Sequence, residues 1–145
     1  MDKLTEQLKS LTCNVPYSLA NMANAVALLY NSLENINWAG LYLIEGDKLV
    51  LGPFQGKPAC TVIPIGKGVC GTAVLQNKIQ LVPDVHAFPG HIVCDSASKS
   101  EIVIPLRKNG EIIGVLDIDS PILNRFTQND QQFLEQFCSV LETVI

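Results

Sequence analysis

Two helices are predicted in the first 35 residues from the spacing of apolar positions. Residues 2–12 are compatible with a short helix, and a second helix follows, with Pro16 suited to its first position. Apolar side chains then recur at steps of three and four residues, which is the spacing of one helix face. That face comprises Leu19, Met22, Val26, Leu29 and Leu33. Core packing accounts for all of them.

From residue 37 the pattern changes to short, apolar, strand-like runs. Turn residues at 45–48 separate the first two runs, and a glycine-rich turn at 66–68 leads into a short helix near 71–77. The four predicted strands are 38–44, 48–54, 61–65 and 79–82.

The strongest hairpin joins residues 101–107 to residues 111–119 through Asn109-Gly110, a frequent two-residue hairpin turn. A last helix is predicted from about residue 128 to the end of the chain. Thr127 and Asp130 resemble a capping box at its start. Its apolar face consists of Phe133, Phe137, Leu141 and Val144.

These elements predict one α+β domain over residues 1–145. Tight turns between successive strands favour a mostly antiparallel sheet of six strands. We expect the N- and C-terminal helices on one face and loops covering a ligand on the other. The irregular stretch 83–100, which includes Phe88 and the run Ile92-Val93-Cys94, is long for a compact domain, so we expect it to be functional.

Composition and charge narrow the function classes. The chain has 145 residues, 48% hydrophobic and 17% charged, with a net charge of −4. Its ten basic residues are scattered, which argues against a nucleic-acid partner. No apolar run reaches the roughly 20 residues of a membrane span, and no targeting segment is visible. We therefore expect a cytoplasmic protein without a membrane partner.

Five cysteines exclude a complete set of disulfides within one chain. Three of them lie among turn residues, namely Cys60, Cys70 and Cys94. Cys138 fits a core position, and the sequence around Cys13 indicates no function. Two chemistries are open for the first three. A metal could use His91-x-x-Cys94 with His86, Cys60 and Cys70, although a second tight ligand pair is missing. Thiol redox chemistry instead needs partly exposed cysteines brought together by loops.

Acidic and aromatic pairs form two further candidate groups. Asp117 and Asp119 share one face of a predicted strand, and Glu101 opens the neighbouring strand. They form either a solvated sheet face or the lining of a pocket, and their apolar strand favours the pocket. Trp38 and Tyr42 also share a face, in either ordinary core or the same pocket.

Five runs of the chain, in order, resemble the free methionine-R-sulfoxide reductases, a family built on the GAF domain. They are LGPFQGKPAC (51–60), GKGVCGT (66–72), VPDVHAFPGH (82–91), CDSAS (94–98) and GVLDIDSP (114–121). The resemblance covers about residues 15–145. It is more specific than a GAF resemblance alone, because GAF domains bind many ligands.

The resemblance implies a role for each candidate residue. Cys94 matches the attacking cysteine, Cys60 the main resolving cysteine, and Cys70 a second or reserve one. Trp38 and Tyr42 match aromatics around the methyl-sulfur end of the substrate. The acids that line the pocket in the family match Glu101, Asp117 and Asp119.

The implied reaction is reduction of free methionine-R-sulfoxide through a cysteine sulfenic acid and an intramolecular disulfide. The implied partner is a thioredoxin-like dithiol, and no metal or organic cofactor is required. A homodimer is left open beside a monomer. The alternative functions are a non-catalytic GAF sensor of a small ligand and a metal-bound regulatory domain.

Overall fold

A single six-stranded sheet forms the centre of the fold. The structure is a computed structural model that describes residues 2–92 and 94–145. The strands are β1 (Trp38–Glu45), β2 (Lys48–Gly56), β3 (Val62–Pro64), β4 (Gln80–Val82), β5 (Ser100–Lys108) and β6 (Glu111–Ser120). Every neighbouring pair is antiparallel, in the order β3-β2-β1-β6-β5-β4.

Four α-helices pack around this sheet. They are α1 (Asp2–Thr12), α2 (Ser18–Ser32), α3 (Gly68–Gln76) and α4 (Gln128–Glu142), with a single 3₁₀ turn at Val85–Ala87. No helix in the described part of the chain is long and apolar enough to cross a membrane.

The two faces of the sheet have different partners. Leu8 of α1, Leu29 of α2 and Phe137 of α4 pack with Leu41 and Leu116, which point to one face. The opposite face carries a smaller apolar cluster together with α3. The predicted α+β class, with the terminal helices on one face and covering loops on the other, is confirmed. The second face is therefore the one available for a site.

Two local predictions are confirmed in detail. Asn109 and Gly110 both adopt positive φ, 54° and 82°, as a two-residue hairpin turn requires. Thr127 and Asp130 form the predicted capping box, in which the backbone N–H of Thr127 donates to Asp130 Oδ2 at 2.8 Å. These contacts fix the turn of the β5–β6 hairpin and the start of α4.

The helix boundaries differ from the sequence prediction at both ends of the chain. Helix α2 begins at Ser18, so Pro16 precedes it, and Leu19 in its first turn is 67% exposed. The buried face instead includes Ala25 beside Met22, Val26 and Leu29. Helix α4 ends before Val144. Periodicity gives the direction of a helix face but not how far along the helix its neighbour packs.

Candidate active site

The sheet register places the acidic and aromatic candidates on one face. Residues directly opposite each other in an antiparallel sheet share a face. Trp38 pairs with Asp119, which pairs with Glu101 on its other side. Gly40 pairs with Asp117 in the next row of the same face. A ladder of β1, β6 and β5 thus carries the candidate substrate contacts, on the side away from the helical core.

These side chains line a cavity closed by loops. The backbone around residues 57–59, the start of α3 and the loop containing His91 and Cys94 form its other walls. The internal space is about 40 Å³. One water needs about 10–15 Å³ by this measure, so the cavity has room for a few waters. An amino acid of about ten heavy atoms requires the loops to open.

Cys60 and Cys94 form a disulfide, and Cys94 lines this cavity. Their Cα atoms lie 5.5 Å apart, which is an ordinary separation for a bridge. Both residues are half-buried. The structure therefore brings together two of the three cysteines that the sequence placed in loops. Val93, beside Cys94, lies outside the described residues.

Cys70 differs from the prediction that all three candidate cysteines lie in turns. Helix α3 begins at Gly68, three residues earlier than expected, so Cys70 lies in its first turn. The residue is only 4% exposed, and its Sγ donates a hydrogen bond to Asp117 Oδ2 at 3.4 Å. Burial and the surrounding acids raise the pKa of the Cys70 thiol. Cys70 therefore lines the floor of the cavity as a neutral thiol.

The remaining two cysteines lie away from the cavity lining. Cys138 is buried in the core between α4 and the sheet, as predicted. Cys13 is exposed after α1.

The three carboxyl groups form a buried cluster. Glu101 and Asp117 are 6% and 5% exposed, and Oδ1 of Asp117 and of Asp119 lacks a hydrogen-bond partner within the described residues. Burial raises the pKa of all three groups, because a charged carboxylate is poorly solvated there. Hydrogen bonding from Cys70 and the other two acids opposes the rise at Asp117. The pKa of Asp117 is therefore raised less than the pKa values of Glu101 and Asp119.

Trp38 and Tyr42 hold the loop that carries Cys60. The indole Nε1–H of Trp38 donates to the carbonyl of Lys57 at 3.1 Å, and the hydroxyl of Tyr42 donates to the carbonyl of Cys60 at 2.8 Å. Their rings are stacked with centroids 5.9 Å apart. Burial, together with the nearby acids, raises the pKa of Tyr42, so its hydroxyl remains a donor. Both aromatics line the cavity and also fix its rim.

Sequence reasoning missed two residues that shape the aromatic wall. Phe54 of β2 stacks on Trp38 with centroids 5.4 Å apart. Gly40 lies under the Trp38 ring, where a Cβ would overlap the ring and approach the Cβ of Phe54 to 2.5 Å. A glycine inside an apolar strand is a recognised sign of close approach, and the spacing Trp38-x-Gly40-x-Tyr42 contains that sign.

The ligand set considered for a metal is not assembled in this state. Cys60 and Cys94 are bonded to each other, and the side chain of His86 is 66% exposed, near Asp84. His91 does line the cavity, with Nε2 4.0 Å from Glu101 Oε1, and burial lowers its pKa. Among the described residues, the groups that come within 4.8 Å of one another are Cys70, Glu101 and Asp117. This set differs from the one that the sequence spacing suggested.

Comparisons with known proteins show the family to which this chain belongs. Residues 6–145 match the GAF domain family. The free methionine-R-sulfoxide reductase of Escherichia coli strain K12 is 56% identical over 142 residues, covering 98% of this chain and 86% of that protein. The chain belongs to the GAF domain family and, within it, to the free methionine-R-sulfoxide reductase family.

Solved structures of the family superpose closely on the chain. The fRMsr of Staphylococcus aureus in its reduced form has a TM-score of 0.96 at 52% identity, with 99% of this chain and 93% of that chain covered. The free methionine-R-sulfoxide reductase of Neisseria meningitidis, in complex with its substrate, has a TM-score of 0.95 at 42% identity. That match covers 99% of this chain and 86% of the other.

Proposed function

We propose that this protein is an enzyme that reduces free methionine-R-sulfoxide to methionine. The observation that carries the proposal is one small cavity lined by Cys94, two aromatic rings and three buried carboxyl groups. The relatives named for this activity cover nearly the whole chain, which supports the same assignment. A sensor that only bound a small ligand would have no need of a redox cysteine pair beside its cavity.

The first step transfers the sulfoxide oxygen to Cys94. The thiolate of Cys94 attacks the sulfoxide sulfur and forms a bond to it. The protonated oxygen then leaves the methionine sulfur and adds to the Cys94 sulfur, the sulfur–sulfur bond breaks, and methionine leaves while Cys94 becomes a sulfenic acid. The oxygen must be protonated as it leaves the methionine sulfur. Glu101 and Asp119 have pKa values raised by burial, so one of them can donate that proton near neutral pH.

The same carboxyl cluster provides selectivity for a free amino acid. An α-ammonium group entering the cavity would pair with Asp117, whose Oδ1 lacks a partner among the described residues. A methionine sulfoxide within a peptide has an amide at that position and no positive charge. Its binding would leave a buried carboxylate unpaired, which is costly.

The aromatic wall distinguishes the two epimers at sulfur. Trp38 and Tyr42 would surround the methyl group, and this fixes which way the sulfoxide oxygen points. In the R epimer the oxygen faces the protonated acid while the sulfur faces Cys94. In the S epimer the oxygen points away from the acid, so the leaving oxygen is not protonated.

Cys60 completes the cycle in the proposed scheme. Its thiol attacks the sulfenic acid on Cys94, the S–S bond forms, and water is released. A dithiol such as thioredoxin then reduces the bridge by exchange and becomes a disulfide itself. The half-buried position of both cysteines gives the reductant access. This cycle fits the reducing conditions of a cytoplasm, which is where we propose that it operates.

The test is a steady-state assay of methionine release with dithiothreitol as reductant. We expect turnover of free methionine-R-sulfoxide and at least ~100-fold lower kcat/KM for the S epimer and for N-acetylated R-sulfoxide. The Cys13→Ser variant, whose cysteine is exposed and outside the cavity lining, is the matched control and should behave as the unmodified protein. Equal turnover of the free and the N-acetylated R-sulfoxide would contradict the proposed role of the acids.

A further inference from the structure

Asn37 connects the sheet to the segment that follows Cys94. It lies just before β1, and its backbone N–H donates to the carbonyl of Asp119 at 3.0 Å. Its side-chain amide donates to Asp95 Oδ2 and to Ser98 Oγ, both at 3.1 Å. One asparagine thus contacts both the strand of the acids and the residue next to Cys94.

The segment that Asn37 holds is itself a closed turn. Asp95 Oδ1 accepts from the backbone N–H of Ala97 at 2.9 Å, and the Asp95 carbonyl accepts from the N–H of Ser98 at 3.2 Å. Ser98 is buried and Asp95 is half-buried. Because Asn37 bonds to both Asp95 and Ser98, it fixes the two ends of this turn at once.

The chemistry of the partners determines the orientation of the Asn37 amide. Oδ2 of Asp95 and Oγ of Ser98 both accept from the side-chain nitrogen of Asn37, so the NH₂ group of Asn37 faces this turn. The Oδ1 atom is then left buried without a partner in the described part of the chain.

We propose that Asn37 is a positioning residue that fixes Cys94 above the carboxyl cluster. This inference rests on the proposed function. The Asn37–Asp95 bond holds the side chain of the residue that follows Cys94, and the backbone bond to Asp119 ties the same asparagine to an acid of the cavity. Asn37 thereby fixes the position of the attacking sulfur of Cys94 relative to the carboxyl cluster that supplies the proton. A misplacement of about 1 Å between reacting groups costs about 100-fold in rate.

The decisive variants exchange the two partners. Asn37→Asp places two carboxylates face to face and breaks the contact by repulsion. Adding Asp95→Asn to Asn37→Asp restores it with the donor reversed, since the new amide donates to the new carboxylate and its oxygen still accepts from Ala97. Ser98→Ala is a milder variant that removes one of the two acceptors. Asn31→Asp is the control, because Asn31 is exposed and bonds only to the carbonyl of Ala27.

Two rates are measured on each pre-reduced variant. The first is the single-turnover rate of methionine release. We expect its maximum to fall about 100-fold in Asn37→Asp, with little change in the substrate concentration that gives half of the maximum, and to recover in the double variant. The second is closure of the Cys60–Cys94 disulfide by diamide, which needs no sulfoxide. The rate of this closure should also fall in Asn37→Asp and recover in the double variant. Ser98→Ala should show a smaller fall in both rates, and Asn31→Asp should show none.

The outcomes separate the two proposals. No methionine release from the unmodified protein would overturn the proposed function, and the diamide rates alone would then decide whether Asn37 positions Cys94. Unchanged diamide closure in Asn37→Asp, or an equal loss in the single and double variants, would overturn the positioning role. Recovery in the double variant supports it, because it shows that the loss arises from the contact between positions 37 and 95 and not from either substitution by itself.

Discussion

The hydroxyl of Tyr42 donates a hydrogen bond to the backbone carbonyl of Cys60 over 2.8 Å. This contact joins the aromatic wall of the cavity to the cysteine that we propose resolves the sulfenic acid. Tyr42 is 2% exposed, so the bond is shielded from water. A residue that sequence analysis assigned to the substrate therefore also holds the redox loop.

Tyr42→Phe should slow disulfide formation more than methionine release. The substitution keeps the ring in the cavity wall but removes the bond to Cys60, worth about 0.5–1.5 kcal/mol, or about two- to tenfold in rate. Stopped-flow measurement of both steps in one turnover tests this. Tyr30→Phe, which changes a half-buried tyrosine of the helical core, is the control. Equal slowing of both steps would contradict the role in the loop.

Cys60→Ser should release about one methionine per protein and then stall when thioredoxin is the reductant. The sulfenic acid on Cys94 would persist because its main resolving partner is absent. Cys70 could replace Cys60 only slowly, since its thiol is buried and its pKa is raised. Mass spectrometry of the trapped sulfenic acid checks the stall. Normal cycling of both Cys60→Ser and the Cys60/Cys70 double variant would contradict the disulfide scheme.

Gly40→Ala should raise KM and lower stability. The added Cβ would overlap the Trp38 ring and approach Phe54, and overpacking of this kind costs about 1–3 kcal/mol. The ring that shapes the methyl end of the cavity would be displaced. Gly52→Ala on β2 is the matched control, because its Cβ meets no atom closer than 3.1 Å. Kinetics and thermal melting on both variants test the prediction, which fails if Gly40→Ala keeps the original KM.

Glu101→Gln should stabilise the protein at neutral pH. The pKa of Glu101 is raised in the folded state, so the folded protein binds more protons than the unfolded chain and its stability falls as pH rises above the unfolded pKa. Gln removes this loss. The gain in Tm, about 2–4 °C for each kcal/mol, should be present at pH 7 and vanish below about pH 4.

Glu111→Gln provides the control for that pH series. Glu111 is an exposed carboxyl at the other end of the same hairpin, so its substitution should leave the melting curve unchanged at every pH. A Glu101→Gln variant that melts below the original protein at pH 7 would contradict a buried, proton-retaining Glu101.

Strand alternation explains why much of the cavity could be predicted. A period of two puts Asp117 with Asp119, and Trp38 with Tyr42, on common faces whatever the exact strand ends. The turn at Asn109-Gly110 pairs Lys108 with Glu111, but Glu101 comes to lie opposite Asp119 only because the register shifts between Leu106 and Arg107. The alternation depends on local geometry, which the sequence states directly, whereas the register shift is seen only in the fold.

Other features depended on contacts distant in sequence. Cys70 reads as a turn residue because glycines surround it, yet Gly71 packs against the carbonyl of Pro64 and the helix starts at Gly68. Asn37 and Asp95 meet across 58 residues, and nothing near either one indicates the other. The sequence resemblance predicted the chemistry of the site, whereas these supporting contacts could be found only in the fold.

The most direct test of the central claim is one turnover of pre-reduced protein without added reductant. Free methionine-R-sulfoxide should yield about one methionine per protein, with Cys60 and Cys94 recovered as a disulfide. Cys94→Ser should release none, while Cys138→Ser, a change of a buried core cysteine, should keep the burst if it folds. A full burst of methionine from Cys94→Ser would contradict the account.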